Sequence, residues 1–214
     1  MTYENRLKRK PRREKKMKRV LFYGDSNTYG YDPRDSYDDR YPASVRWTDR
    51  LGHALEDRWE VISRGQNGRC VPSLPQMEGY LCSLIETGSP SGAPDRFAVM
   101  LGTNDLLRTY RPDAAPAVRQ MDALLSFLQA RFPEMERMLI APPILFDGVR
   151  GDAFFLKCQE ESRKLTAAYQ KLAAETGTIF ADAGRWGIEM SSDGVHFSER
   201  GHAQFEAALE AYFV

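Results

Sequence analysis

Three short polar segments of the sequence contain, between them, the groups that acyl transfer by a serine requires. Residues 24–28 read GDSNT, residues 102–105 read GTND, and residues 193–196 read DGVH. A serine hydroxyl is a weak nucleophile at neutral pH, so it needs a base that takes its proton and a fixed donor for the developing oxyanion. We therefore consider Ser26 as the nucleophile, His196 as the base and Asn104 as an oxyanion donor.

His196 is the best candidate for the base among the three histidines of the chain. Asp193 precedes it by three residues in one loop, so the carboxylate can accept from one ring nitrogen while the other faces Ser26. Histidine suits general base catalysis because its ordinary pKa lies close to neutral pH. His53 and His202 fall within predicted helices and are interpreted as structural.

Each of these residues also has a structural interpretation when it is taken alone. Ser26 could cap a helix, and Asn104 could form a turn. Gly68 follows a predicted strand and could offer an unobstructed backbone N–H, although an isolated glycine is weak evidence. Asp25 is interpreted as an acceptor that organises its loop. The catalytic interpretation therefore depends on the segments occurring together.

Composition and length predict one globular domain. The chain has 214 residues, of which 42% are hydrophobic and 28% are charged, enough to bury a core. No run is long enough to span a membrane, and the beginning of the sequence lacks the apolar core of a signal peptide. The three cysteines show no metal-ligand spacing, which favours reduced thiols. These features predict a cytoplasmic protein without a membrane partner.

Charge is distributed unevenly along the chain. Residues 1–19 contain ten Lys or Arg and two Glu, whereas the rest contains 20 basic and 28 acidic residues. We divide the sequence into a basic arm, residues 1–18, and a single domain, residues 19–214. The arm could bind a polyanion, although charged blocks are more often simply solvated. Because zinc-ligand spacing and stacking aromatics are missing, we predict no nucleic-acid partner.

Short apolar runs alternate with longer segments of helical period, which predicts an α/β fold with a parallel sheet covered by helices. The three motifs lie after predicted strands or in loops before predicted helices, where open parallel sheets place their sites. Strands are predicted at residues 20–23, 60–63, 97–101, 138–141 and 178–181. Helices are predicted at residues 45–55, 76–86, 117–131, 152–175 and 201–212, with turns or loops at 88–92 and 144–151.

The sequence resembles the SGNH hydrolases, also called the GDSL-like esterase and lipase superfamily. Four blocks occur in order: GDSNT at 24–28, GQNGR at 65–69, GTND at 102–105 and DGVH at 193–196. The resemblance covers residues 19–214 and implies a three-layer α/β/α sandwich with about five parallel strands, of the flavodoxin-like type. It makes Ser26, His196 and Asp193 the triad.

The same resemblance implies an oxyanion hole made of the Ser26 N–H, the Gly68 N–H and the Asn104 side chain. The family usually has leucine where this chain has Asn27, and the departure is expected to touch the floor of the substrate pocket.

A finer similarity exists to the oligomeric arylesterase and acyltransferase branch of that superfamily, in residues 24–31, in RYP at 40–42 and VRWT at 45–48, and in residues 61–69. It implies that Tyr31, Phe155 and Val195 line the acyl or alcohol pocket together with Asn27. It also implies a homo-oligomer. This chain has tyrosine at positions 29 and 31, where the branch favours tryptophan, and this departure predicts a more polar pocket.

These observations predict a serine esterase acting on short-chain, acetyl-type carboxylic esters. An acyl-enzyme forms and is resolved by water or by an alcohol, and no metal or organic cofactor is expected. One alternative is a carbohydrate O-acetylesterase of the acetyl-xylan esterase kind, favoured if the pocket is rich in hydrogen-bonding groups. A non-enzymatic alternative is a ligand-binding module whose basic arm contacts polyanions.

Overall fold

A five-stranded parallel sheet forms the centre of the protein. The computed structural model describes residues 17–34, 39–87, 92–145 and 151–213. The strands lie in the order β2-β1-β3-β4-β5, so the chain winds first to one side of β1 and then to the other. The bounds of these strands are β1 Lys18–Gly24, β2 Trp59–Gly65, β3 Arg96–Met100, β4 Glu136–Ala141 and β5 Ile179–Asp182.

Helices cover both faces of this sheet, which confirms the predicted three-layer α/β/α fold. They are α1 Ser26–Tyr29, α2 Trp47–Ala54, α3 Leu74–Gln76, α4 Cys82–Thr87, α5 Thr103–Leu107, α6 Ala114–Arg131, α7 Ala153–Thr176 and α8 Glu199–Glu210. A π-helical turn, Met77–Leu81, joins α3 to α4, and two 3₁₀ turns lie at Ala183–Arg185 and Ala211–Phe213. In the described part of the chain, no helix is long and apolar enough to cross a membrane.

Alternating side chains of the strands divide the core into two layers. Leu21 and Tyr23 of β1 pack with α4, α6 and α7, whereas Val20 and Phe22 pack with α2 and α8. This division follows from the two-residue period of a strand, which sends successive side chains to opposite faces. These four side chains of β1 are all buried because the sheet is covered on both sides.

Several helix bounds differ from the prediction for local reasons. The helix predicted at residues 76–86 differs in two ways. It begins earlier, at Leu74, because Pro75 favours the first turn of a helix. It is also interrupted by the π-helical turn, where Gly79 weakens helical continuity. Helix α6 begins at Ala114, since the Asp113 side chain accepts from the Ala115 N–H. The short helices α1 and α5 were not predicted. Residues 1–16 of the basic arm, 88–91 of the predicted turn and 146–150 of the predicted loop lie outside the described residues.

Candidate active site

Ser26 lies at the carboxyl end of β1 as the first residue of α1. Asp25 caps this helix, and its Oδ1 accepts a hydrogen bond of 3.0 Å from the Asn27 N–H. The interpretation of Asp25 as an organiser of its loop is thus confirmed. Gly65, at the end of β2, lets the helix approach the sheet closely, since a Cβ there would lie 2.0 Å from the Tyr29 nitrogen.

Ser26, His196 and Asp193 form a continuous hydrogen-bonded chain. The Ser26 Oγ lies 2.9 Å from His196 Nε2, and His196 Nδ1 lies 2.5 Å from Asp193 Oδ2. Asp193 Oδ1 accepts from the backbone N–H groups of Val195 and His196, at 2.9 and 3.0 Å. The carboxylate therefore folds its own loop around the imidazole. This is the geometry expected of a nucleophile, its base and the residue that orients the base.

The charge of Asp193 is stabilised by the groups around it. Burial alone would raise the pKa of this carboxyl, but hydrogen bonds from the His196 ring and from two backbone N–H groups lower the pKa to about 2. The residue is therefore a carboxylate at neutral pH. A carboxylate only accepts hydrogen bonds, so His196 Nδ1 carries a proton and Nε2 is left to accept the proton of Ser26.

Asp25 has the opposite electrostatic character, although it is the neighbour of Ser26 in the chain. Burial raises the pKa of this carboxyl to about 6, against the lowering effects of the Asn27 N–H and of the charges of His196 and Arg69. Its Oδ1 accepts from the Asn27 backbone N–H, whereas the carboxylate bound to the His196 ring is that of Asp193. Two carboxyls near one histidine thus have different environments and different roles.

Three residues that line the cavity, Ser26, Gly68 and Asn104, carry hydrogen-bond donors. The Asn104 Nδ2 donates one hydrogen to the Arg69 carbonyl at 3.0 Å, and an amide nitrogen carries a second hydrogen that this bond does not use. Gly68 adopts a positive φ of 70°, and its carbonyl accepts from Arg108 Nη1 at 3.1 Å. Ser26, as the first residue of α1, has no acceptor for its N–H within the helix. All three residues line the same cavity.

The cavity has a volume of about 470 Å³, and Ser26, Asp193 and His196 form part of its lining. Tyr31 and Val195 line it as predicted, and the Tyr31 ring packs on the His196 ring with a centroid separation of 4.6 Å. Asn67, Leu107 and Phe154 also line it and were not predicted. Leu107 could have been found from its position three residues after Asn104 in a helix. No sequence signal distinguishes Phe154 from its neighbour.

Two residues predicted to bind substrate do not reach this cavity. Phe155 is 0% exposed and packs with Leu145 and Cys158, behind the Leu107 and Val195 side chains that form the wall. Asn27 is 5% exposed, and its amide is engaged by the backbone on either side of His196. Each side chain lies behind the residues that line the cavity, so the lining does not support the substrate-binding role predicted for Phe155 and Asn27, which stays a prediction.

Metal ligation has no visible basis in this region. Within the described ranges, no group of three or more His, Cys, Asp or Glu side chains is arranged to hold a metal ion. The arrangement instead combines a nucleophile, a base and hydrogen-bond donors, which is what acyl transfer from an ester requires.

Comparison with known proteins agrees with this chemistry. The GDSL-like lipase/acylhydrolase family matches residues 22–204, which include Ser26, Asp193 and His196. No curated protein sequence matches the chain. A carbohydrate acetylesterase family member from Sinorhizobium meliloti has a similar structure, with 30% identity, coverage of 92% of this chain and 97% of that one, and a TM-score of 0.78.

Two further solved structures are similar. The aryl esterase of M. smegmatis is 27% identical over 91% of this chain and 97% of that chain, with a TM-score of 0.76. A carbohydrate acetylesterase from Sinorhizobium meliloti is 25% identical over the same shares, 91% and 97%, with a TM-score of 0.75. The similarities span nearly the whole length of these proteins, so the comparison concerns the complete fold.

Proposed function

The chain belongs to the GDSL-like lipase/acylhydrolase family and is a carboxylic ester hydrolase, and we propose that it cleaves short-chain esters through Ser26, His196 and Asp193. The observation that carries this proposal is the 2.9 Å contact between Ser26 Oγ and His196 Nε2, with Asp193 bound to the other ring nitrogen. A hydroxyl in that position can lose its proton as it attacks.

The proposed reaction has two halves. Ser26 Oγ forms a bond to the ester carbonyl carbon while its proton moves to His196 Nε2. The bond from that carbon to the alcohol oxygen then breaks, and His196 gives the proton to the leaving alcohol. In the second half a water molecule attacks the acyl-enzyme, again with His196 as base, and Ser26 is regenerated with release of the acid.

The oxyanion in both halves is assigned to the Ser26 N–H, the Gly68 N–H and the Asn104 side chain. Their common position on one cavity beside the nucleophile supports this assignment. The Asn104 amide is also held by the Arg69 carbonyl, so its free hydrogen has a fixed direction before substrate arrives. Donors that are already oriented stabilise developing charge without the cost of reorganisation.

A short acyl group is supported by the chemistry of the cavity wall. Its lining combines the polar groups around Ser26 with the apolar side chains of Leu107, Phe154 and Val195. An acetyl group needs no apolar surface beyond them, whereas each further methylene group contributes about 0.8 kcal/mol only where it is buried, and the adjoining Tyr110 is fully exposed. We therefore propose acetyl-type esters as the substrates.

The direct test is hydrolysis of p-nitrophenyl esters from acetyl to palmitoyl by the full chain and by Ser26→Ala. We expect the highest kcat/KM for the shortest acyl groups and complete loss of turnover in the variant. A fluorophosphonate probe should label Ser26 in the wild type alone. Equal rates for both proteins, or a preference for palmitate, would overturn the proposal.

A second candidate is a carbohydrate O-acetylesterase, and one surface favours it specifically. Next to the catalytic cavity lies a groove of about 430 Å³ that shares Leu107 and Phe154 with it and includes Tyr110, which is fully exposed. Exposed aromatic rings beside an ester site are suited to stacking on sugar rings. Two similar proteins are carbohydrate acetylesterases by name.

Tyr110→Ala distinguishes the two candidates. If the natural substrate is an acetylated sugar, the variant should lose kcat/KM for acetylated xylo-oligosaccharides and keep it for p-nitrophenyl acetate. Equal retention for both substrates would remove the carbohydrate candidate. Whether an alcohol can replace water as the acyl acceptor is tested in the same assay by adding an alcohol and measuring the new ester. Light scattering tests the predicted homo-oligomer.

A further inference from the structure

The Asn27 side chain binds the backbone on both sides of His196. Its Nδ2 donates to the Val195 carbonyl at 3.0 Å, and its Oδ1 accepts from the Phe197 N–H at 2.9 Å. We propose that Asn27 is a positioning residue, which sets the distance between the nucleophile and the base by tying the histidine loop to the residue next to Ser26. This inference rests on the proposed roles of Ser26 and His196.

The hydrogen bond to Phe197 is buried, and the bond to Val195 is partly buried. Asn27 is 5% exposed and Phe197 is 0% exposed, so water does not readily replace the bond between them. The two bonds also require opposite ends of the amide, because Val195 offers a carbonyl and Phe197 offers an N–H. This fixes the orientation of the side chain. Both polar groups of the Asn27 carboxamide, the NH₂ and the C=O, therefore have a complementary partner here.

The backbone of Asn27 is anchored independently. Its carbonyl accepts from the Trp47 indole at 2.8 Å, and Trp47 itself is 1% exposed in the core. This bond holds the peptide that follows Asn27, and the peptide that connects Ser26 to Asn27 is held through the Asn27 N–H, which donates to Asp25 Oδ1 at 3.0 Å. As a result, the loop that carries His196 is bound to the same short piece of backbone that carries the nucleophile.

Asp193 and Asn27 stabilise the loop that carries His196 in different ways. Asp193 binds the N–H groups of Val195 and His196 from inside the loop, so it shapes the loop but does not connect it to α1. Asn27 provides that connection across 168 and 170 positions of sequence. Leucine, which the superfamily usually has here, would fill similar space without either bond.

Other contacts keep the loop folded when Asn27 is changed. The Ser191 N–H donates to the His196 carbonyl at 2.7 Å, and Phe197 packs with His202 and Phe205. Loss of the Asn27 amide should therefore shift the imidazole rather than unfold the loop. Displacements of about 1 Å at a reacting group cost roughly 100-fold in rate, so a fall of about 10- to 100-fold in kcat is expected.

The kinetic test compares Asn27→Leu and Asn27→Ala with Leu128→Ala, a buried change in α6 that destabilises the fold away from the cavity. Asn27 lies outside the cavity lining, so KM should change little while kcat falls in both Asn27 variants. Leu128→Ala should lower the melting temperature and leave kcat unchanged. If the wild type is active and Asn27→Leu keeps its kcat, the positioning role is overturned while the proposed function stands.

Hydrogen exchange provides a readout that does not depend on activity. In the wild type the Phe197 amide should be protected, because Asn27 Oδ1 is its acceptor. Asn27→Leu should accelerate exchange in peptides covering residues 195–197 and leave the sheet peptides unchanged. Unaltered exchange at Phe197 would overturn the inference even if no ester were cleaved by any variant. An inactive wild type with the expected exchange change would instead count against the proposed function alone.

Discussion

Phe154 and Phe155 are neighbours in the sequence but occupy different layers of the catalytic cavity. Phe154 is 39% exposed and lines the cavity, whereas Phe155 is 0% exposed and packs behind the wall against Leu107 and Val195. The Asp152 side chain fixes this arrangement by accepting from the Phe155 N–H at 2.6 Å at the start of α7. The position at which α7 begins therefore directs the Phe154 ring toward the cavity and the Phe155 ring into the core.

Alanine at these two positions should produce different losses. Phe154→Ala should raise the KM for aryl esters and leave the free energy of unfolding nearly unchanged. Phe155→Ala should lower that free energy by about 3–5 kcal/mol, because a large fully buried side chain is removed. Urea denaturation with steady-state kinetics on both variants measures the contrast. Equal effects on KM with no loss of stability in Phe155→Ala would contradict the assignment.

Asn104→Ala should lower kcat by about 100- to 1,000-fold for p-nitrophenyl acetate, since one prealigned oxyanion donor is lost. The comparison variant is Asn67→Ala, which also alters an amide on the cavity wall, one that donates to Asp39. We expect the second variant to affect mainly KM. Single-turnover acylation rates separate the two effects, and a full rate in Asn104→Ala would exclude it from the oxyanion hole.

The sequence predicted the layout of the site more accurately than the direction of individual side chains. Ser26, Asp193 and His196 were recognisable because their types and local spacing define a reaction. Gly24-Asp25 and the apolar run before it also marked the end of β1. Local spacing carries this information because the groups lie within a few residues of a strand end.

Side-chain direction depended on contacts that are distant in the chain. Asn27 turns toward Val195 and Phe197, about 170 positions away, and this pairing cannot be read from the local pattern. Phe155 required the phase of α7, which is set by the cap at Asp152. Helix starts were likewise shifted by caps, as at Asp113. These are tertiary and capping effects that periodicity does not contain.

Glu161 should stabilise the junction of α6 and α7. Its buried carboxylate accepts from the Ala114 N–H at 3.0 Å, at the start of α6, and contacts Lys164 and Lys157 at 2.8 and 3.1 Å. The Lys164 ammonium is the main reason that the pKa of this carboxyl is lowered to about 2, against the effect of burial. Both lysines are about half exposed, so their ion pairs contribute little to stability.

The backbone bond to Ala114 is therefore the part of this contact that we expect to matter. Glu161→Ala should cost about 1–3 kcal/mol because it leaves a buried N–H unsatisfied, whereas Glu161→Gln keeps an acceptor and should cost less. Thermal denaturation of both variants at neutral pH gives the comparison. If glutamine destabilised the protein as much as alanine does, the charge would be the dominant contribution.

His202 should destabilise the protein as the pH falls from about 6.5 to about 4. Burial lowers the pKa of this histidine to about 4, and the nearby charge of Asp32 does not compensate. Across that window the unfolded chain binds a proton that the folded chain does not, so stability decreases by about 3 kcal/mol from this group. His202→Gln should remove this dependence, and His53→Gln, at an exposed site, should not. Identical pH profiles for His202→Gln and the wild type would contradict it.

Asp25 should change the stability of the protein with pH in the opposite direction to His202, between about pH 4 and pH 6. Its pKa is raised to about 6 by burial, above the ordinary value of 3.8, so below pH 6 the folded state takes up a proton before the unfolded state does. Its contribution to stability is fully present below 3.8 and is lost as the pH rises through 6, a change of about 3 kcal/mol. Asp25→Asn retains a residue that can cap α1 and removes this titration.

In the wild type the effects of His202 and Asp25 on stability nearly cancel. Each variant removes one effect, so that the other can be measured. Melting temperatures measured from pH 4 to pH 7 should fall more steeply toward acid in Asp25→Asn than in the wild type. In His202→Gln they should instead rise toward acid. Slopes of the same sign in both variants would show that at least one of these buried groups has its proton affinity shifted in the other direction.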